Sequence, residues 1–227
     1  MEKPRISKDN GKTSIRFYTL DNRVEESVRQ EIGRCFSGKS REGLQDMIYT
    51  CVKELMVNAS KSNIKKTFFI EAKISENDRE LYEIAKTRVK RLMREEYFAY
   101  IRTKLMKHDS DVKVDIEDRG NGIVISVTNP SPLWADEEAN IRKALCSAMS
   151  EDASDLAFFY GDDDTAEGAS LGLVLIIQLL RQLNVDPSLF RIGVIEGNTV
   201  ARMEIPLTDG YHDARAGKGS RKDTSAA

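Results

Sequence analysis

Apolar and polar positions along the chain change their period several times, and each change marks an element. Ser14–Leu20 alternates and predicts a short strand, while Val24–Phe36 has helical spacing. Leu44, Met47, Ile48, Cys51 and Leu55 recur on one stripe, predicting a helix from Arg41 to about Asn63. Thr67–Ile74 is rich in β-branched and aromatic residues and predicts a strand. Asp78 to about Lys107 then predicts a long charged helix with the stripe Leu81, Ile84, Val89, Leu92, Met93, Tyr97, Ile101 and Leu105.

Two hairpins follow. Val112, Val114 and Ile116 alternate out, Arg119-Gly120-Asn121-Gly122 turns, and Ile123, Ile125 and Val127 alternate back. Asp136–Ser150 has a helical pattern, Glu151–Ala169 is a long acidic loop, and Leu171–Leu183 is apolar nearly all round, as a buried helix requires. Phe190–Ile195 runs out, Glu196-Gly197-Asn198 turns, and Thr199, Ala201, Met203 and Ile205 mark one face of the return. Helices grouped with hairpins predict an α/β (α+β) two-layer sandwich: a mixed, largely antiparallel sheet with helices on one face.

Met1–Lys12 and Thr208–Ala227 are polar and nearly free of apolar residues, so both are expected to be disordered around one domain spanning residues 13–207. With 227 residues, 40% hydrophobic and 32% charged, the composition is that of a soluble globular protein. The net charge of −2 gives no reason to expect nucleic acid or an anionic membrane as a partner. The run Leu171–Leu180 is about half the length a membrane-spanning helix needs, and Met1–Asn10 has no signal-peptide core, so a cytoplasmic protein is expected. Cys35, Cys51 and Cys146, with only His108 and His212, support neither a zinc site nor a disulfide framework. The basic stretch Lys86, Arg88, Lys90, Arg91 and Arg94 is followed at once by Glu95 and Glu96 and reads as a solvated face. His108 reads as a surface histidine, Trp134 as packing and Asp162–Asp164 as solvated loop.

Three short segments carry candidate chemistry. In Lys53-Glu54-Leu55-Met56-Val57-Asn58-Ala59-Ser60-Lys61, Glu54 and Asn58 are one helical turn apart. Asn58 falls inside the apolar stripe, where an unpaired amide costs about 1–3 kcal/mol. A Mg²⁺ ion is one partner for its oxygen, with the carboxylate a turn away as a base; a hydrogen bond to a neighbouring strand is the other. Glu167-Gly168-Ala169-Ser170-Leu171-Gly172-Leu173 opens the buried helix with small residues, suited to phosphate at a helix N-terminus or to close packing. Gly197-Asn198-Thr199 is turn chemistry that leaves Thr199 heading the inner face of the last strand.

Taken in order, these segments resemble the GHKL superfamily of ATPases, which includes histidine kinases, gyrase B, heat-shock chaperones and the anti-sigma serine kinases. Glu54-x-x-x-Asn58-Ala59 with Lys61 resembles its N box. Gly168-x-Ser170-Leu171-Gly172-Leu173 resembles its second glycine box, and Gly197-x-Thr199 its last box. The resemblance spans roughly Gly43–Leu207, with residues 78–107 as a helical insertion and 151–169 as the lid. It implies an ATP-binding domain of histidine kinase type, with ATP and Mg²⁺ as cofactors. Asn58 would hold Mg²⁺, Glu54 would be the general base and Lys61 would reach phosphate. Gly168, Ser170, Leu171 and Gly172 would frame the lid-to-helix junction, and Thr199 would sit under the adenine.

The superfamily's adenine box is Asp-x-Gly-x-Gly. Asp118-Arg119-Gly120-Asn121-Gly122 has those letters but lies in a hairpin turn. The topologically equivalent place follows the next strand and puts Asn129 in the acceptor position, with Asn for Asp and no glycines. Ser170 likewise replaces a glycine. The resemblance therefore implies a stand-alone module acting on a protein partner in trans as kinase or ATPase, with a non-catalytic interaction module of the same fold as the alternative. The stripe of the inserted helix would be buried on the parent domain, or in a homodimer or partner contact.

Overall fold

The computed structural model describes residues 3–39, 42–74, 81, 84, 89, 97–131, 133, 135–150 and 168–213. Among these residues, six strands form one sheet: β1 (Arg5–Asp9), β2 (Lys12–Phe17), β3 (Val112–Asp118), β4 (Gly122–Asn129), β5 (Phe190–Ile195) and β6 (Asn198–Pro206). Their order is β1-β2-β3-β4-β6-β5 and every pairing is antiparallel, so the sheet is not mixed as expected. Three hairpins supply three of the five pairings, and a hairpin can join only antiparallel strands.

Alternation then decides the faces. The register aligns Ile15 with Val114, Val114 with Val127, Ile125 with Met203, and Asn129 with Thr199, so these residues share the inner face. Helices α1 (Asn22–Phe36), α2 (Gln45–Ala72) and α5 (Gly168–Gln182) contribute to the core on that face. Helix α1 begins at Asp21, whose carboxylate accepts from the backbone N–H of Arg23 and Val24 at 3.0 Å. Its spacing buries Val24, Val28, Ile32, Cys35 and Phe36. Each such side chain, once buried, contributes about 1.5–3 kcal/mol. Two further helices, α3 (Phe98–Lys107) and α4 (Ala135–Met149), lie among the described residues.

Three further sequence expectations change. Residues 5–9 are strand β1, not a disordered start: each pairs with β2, and Lys8 reaches Glu31 at 2.8 Å. Thr67–Ile74 is no strand but the last turns of α2 and its cap. Lys73 adopts φ 54°, its N–H bonds to Ile70 O at 3.2 Å and that of Ile74 to Phe69 O at 3.1 Å, a Schellman ending. Thr67 and Phe69 are buried, so tertiary contact overrides their strand propensity. The tail from Thr208 is structured at its start: Tyr211 packs on Gly122 and donates to Glu204, and Arg191 pairs with Asp213.

Of the expected 78–107 helix, the described part packs on the parent domain, where Ile101 and Leu105 bury with Val89 and Ile64. Glu71, in the last turn of α2, holds Lys104, Lys107 and His108 at 2.7 Å each. The remainder of that stretch, including the basic residues Lys86, Arg88, Lys90, Arg91 and Arg94, lies outside the described residues, as do the expected lid through Glu167, Trp134 and the tail beyond Asp213. No described helix is long and apolar enough to cross a membrane.

Candidate functional site

Connectivity fixes how the two candidate helices run. Helix α2 climbs toward the sheet end where β4 finishes and β6 begins, because its Asn63 bonds to Asn129 and to the backbone at the start of β3. Helix α5 leads through a short link into β5, whose far end turns into β6 at Asn198. The C-terminus of α5 therefore lies at the opposite sheet end, and its N-terminus points toward Asn129 and Thr199. The two helices run antiparallel within one layer.

Glu54 of α2 meets α5 at Gly172. A Cβ there would meet the Glu54 carboxyl, with Cδ at 2.6 Å, so the Glu54 side chain lies where it does because residue 172 is glycine and would have to shift for any larger residue. Asn58 lies one turn from that contact along α2, and Gly168 one turn from it along α5. Because the helices are antiparallel, both steps lead toward the same end of the sheet. Gly168 and Ser170 occupy the first turn of α5, with Leu171 half-buried behind them.

The oxygen Oδ1 of Asn58 is buried and accepts no hydrogen bond from the described residues, and the buried Ser60 hydroxyl bonds to none of them. The strand partner that was the other reading of Asn58 is not made among the described residues. Lys61, half-buried on the next turn, forms no ion pair with a described residue. An unpaired carbonyl oxygen, a carboxylate one turn before it and a lysine one turn after it make a donor set suited to a hard cation and its anionic ligand.

Asn129 and Thr199 are direct cross-strand partners at the sheet end. Asn129 is 3% exposed and its Nδ2 donates to Asn63 Oδ1 at 3.3 Å. The Thr199 hydroxyl donates to Ser131 O at 2.5 Å, leaving its lone pairs to accept. Lys66 donates to Pro130 O, and Lys65 pairs with Glu137 at 2.7 Å, so the segment after β4 is tied to both β6 and α2. Sequence reasoning did not find Asn63. Its signal was Ser60, Asn63 and Thr67 at helical spacing, three polar residues continuing a core stripe; Asn63 and Thr67 bond into it, through Asn129 and Ser110.

The Asp118 turn packs against the segment that follows β6. Asp118 accepts from Lys39 at 2.7 Å and from Gly120 N–H at 2.9 Å, and these bonds hold its carboxyl below the ordinary range against the opposing effect of burial. Gly122 makes room for the Tyr211 ring, and Asn121 Nδ2 donates to Gly210 O at 3.3 Å. The turn is a receptor for the C-terminal segment. Among the described residues no three His, Cys, Asp or Glu side chains gather as a metal cluster, and Cys35 and Cys51 are buried thiols.

The chain is 26% identical over 199 residues to an uncharacterized protein of Treponema pallidum (strain Nichols), a match covering 85% of this chain and 37% of that protein. The chain thus spans little more than a third of that relative's length. No family model and no solved structure matches it.

Proposed function

We propose that this chain is a Mg-ATP-binding domain of histidine kinase type, a cytoplasmic module that acts on a protein partner in trans. The observation that carries the reading is the buried Oδ1 of Asn58, unpartnered among the described residues, one turn from the Glu54–Gly172 contact with the helix whose N-terminus points the same way. An apolar site would not keep such an oxygen, since leaving it unpaired costs about 1–3 kcal/mol. Mg²⁺ takes oxygen donors of this kind, so the residues fit the ion.

In this reading Asn58 holds the cation, Lys61 neutralises phosphate charge, and the N–H groups of the first turn of α5 face the phosphates. Asn129 would accept from the adenine amine, and Thr199, its cross-strand partner, would line the base. Bound Mg-ATP supplies an electrophilic γ-phosphoryl group. Glu54 lies near enough to take the proton of a water or partner hydroxyl once it swings off Gly172.

A second reading, binding without turnover, is favoured by one observation: Glu54 is packed on Gly172, not free at the site. Calorimetry with Mg-ATP decides the binding claim. Wild type should bind and Asn58→Ala should not; equal binding by both would put the site elsewhere. γ-Phosphate release or transfer that vanishes in Glu54→Gln selects the enzyme, and binding with none selects the interaction module.

A further inference from the structure

The side-chain amide of Asn63 is 1% exposed and cannot be oriented two ways. One end lies 3.0 Å from Ser110 O and 3.2 Å from Asp111 O. Carbonyl oxygens only accept, so the group facing them must be Nδ2. The other end is then Oδ1, an acceptor, and it faces Asn129. Asn129 must answer with Nδ2, at 3.3 Å. Its own Oδ1 remains, accepting from none of the described residues.

We propose that Asn63 is a positioning residue that fixes the Asn129 amide with its oxygen as the free group, so that the site selects a purine bearing an exocyclic amine over one bearing a carbonyl there. The inference rests on the nucleotide reading of the site. It explains how a neutral asparagine can do the work of an acceptor-only carboxylate. An unrestrained amide would turn either end toward the base and lose the discrimination. Two backbone carbonyls, through Asn63, remove that freedom.

The test begins without nucleotide, on side-chain amide protons followed by NMR hydrogen exchange. In wild type the Asn63 amide protons and one Asn129 amide proton exchange slowly; in Asn63→Ala the Asn129 proton exchanges freely. Equal exchange in the two proteins overturns the orientation. Calorimetry then compares ATP with inosine triphosphate, whose base has a carbonyl in place of the amine. Wild type should prefer ATP, Asn63→Ala should lose about tenfold of that preference, and Asn63→Ala with Asn129→Asp should regain it. An unchanged ratio in Asn63→Ala overturns the selectivity. If wild type binds neither nucleotide while the exchange pattern holds, the orientation stands and base selection falls with the nucleotide reading. Should Asn63→Ala fail to fold, Asn129→Asp alone asks the same question: a carboxylate facing Asn63 Oδ1 should lower the melting temperature, and an unchanged one overturns the relay.

Discussion

The carboxyl of Glu54 rests on the bare Cα of Gly172, so the α2–α5 contact has room for a side chain from one helix only. Gly172→Ala should therefore cost up to about 1 kcal/mol, because the end of the flexible Glu54 side chain must give way while alanine itself favours the helix over glycine by about as much. In a Glu54→Ala background the same change should cost little. Urea denaturation of the two single variants and the double variant measures the coupling. Additive effects would mean the contact is not the reason for the glycine.

Asn58 carries the opposite sign. Its Oδ1 has no partner among the described residues to lose, so Asn58→Ala should leave the ligand-free protein as stable as wild type or up to about 1 kcal/mol more so. Added Mg-ATP should raise the melting temperature of wild type and leave the variant unmoved. A variant clearly less stable than wild type without ligand would show that Oδ1 has a structural partner after all.

Glu31 makes the fold sensitive to acid. Burial raises its carboxyl, but hydrogen bonds from Arg34, Lys8 and Thr13 outweigh that and hold it at about 2, below the ordinary 4.5. A lowered folded value contributes stability that is complete above 4.5 and is lost as pH falls toward about 2. Glu31→Gln should cost on the order of 2 kcal/mol at neutral pH. That difference from wild type should shrink through this acid window, as measured by denaturation at stepped pH.

The Asp118 turn separates structure from ligand binding. Gly122→Ala should lower stability, because the Tyr211 ring and Ile205 O, 3.1 Å from an added Cβ, leave no room. Tyr211→Phe should cost about 1–2 kcal/mol, since Glu204 is 0% exposed and loses a donor. Asp118→Asn should leave Mg-ATP affinity unchanged in calorimetry, since its partners are Lys39 and Gly120. A large loss of affinity would return the adenine position to Asp118.

Much of this molecule is written in periodicity. Alternation at Val112–Ile116, Ile123–Val127 and Thr199–Ile205 determined three strands and the face each turns inward, and the Cys51–Leu55–Asn58 spacing put an amide inside an apolar stripe. These features are local, because the backbone repeat alone assigns side chains to faces. Only the tertiary structure decided that Thr67–Ile74 continues α2, that residues 5–9 pair with β2, that Gly122 makes room for Tyr211, and that Asn63 reaches Asn129 across 66 positions of sequence. Local propensities differ by less than about 1 kcal/mol per residue. Burial and a paired buried amide are each worth as much or more, so contacts between distant segments settle what local preference leaves open.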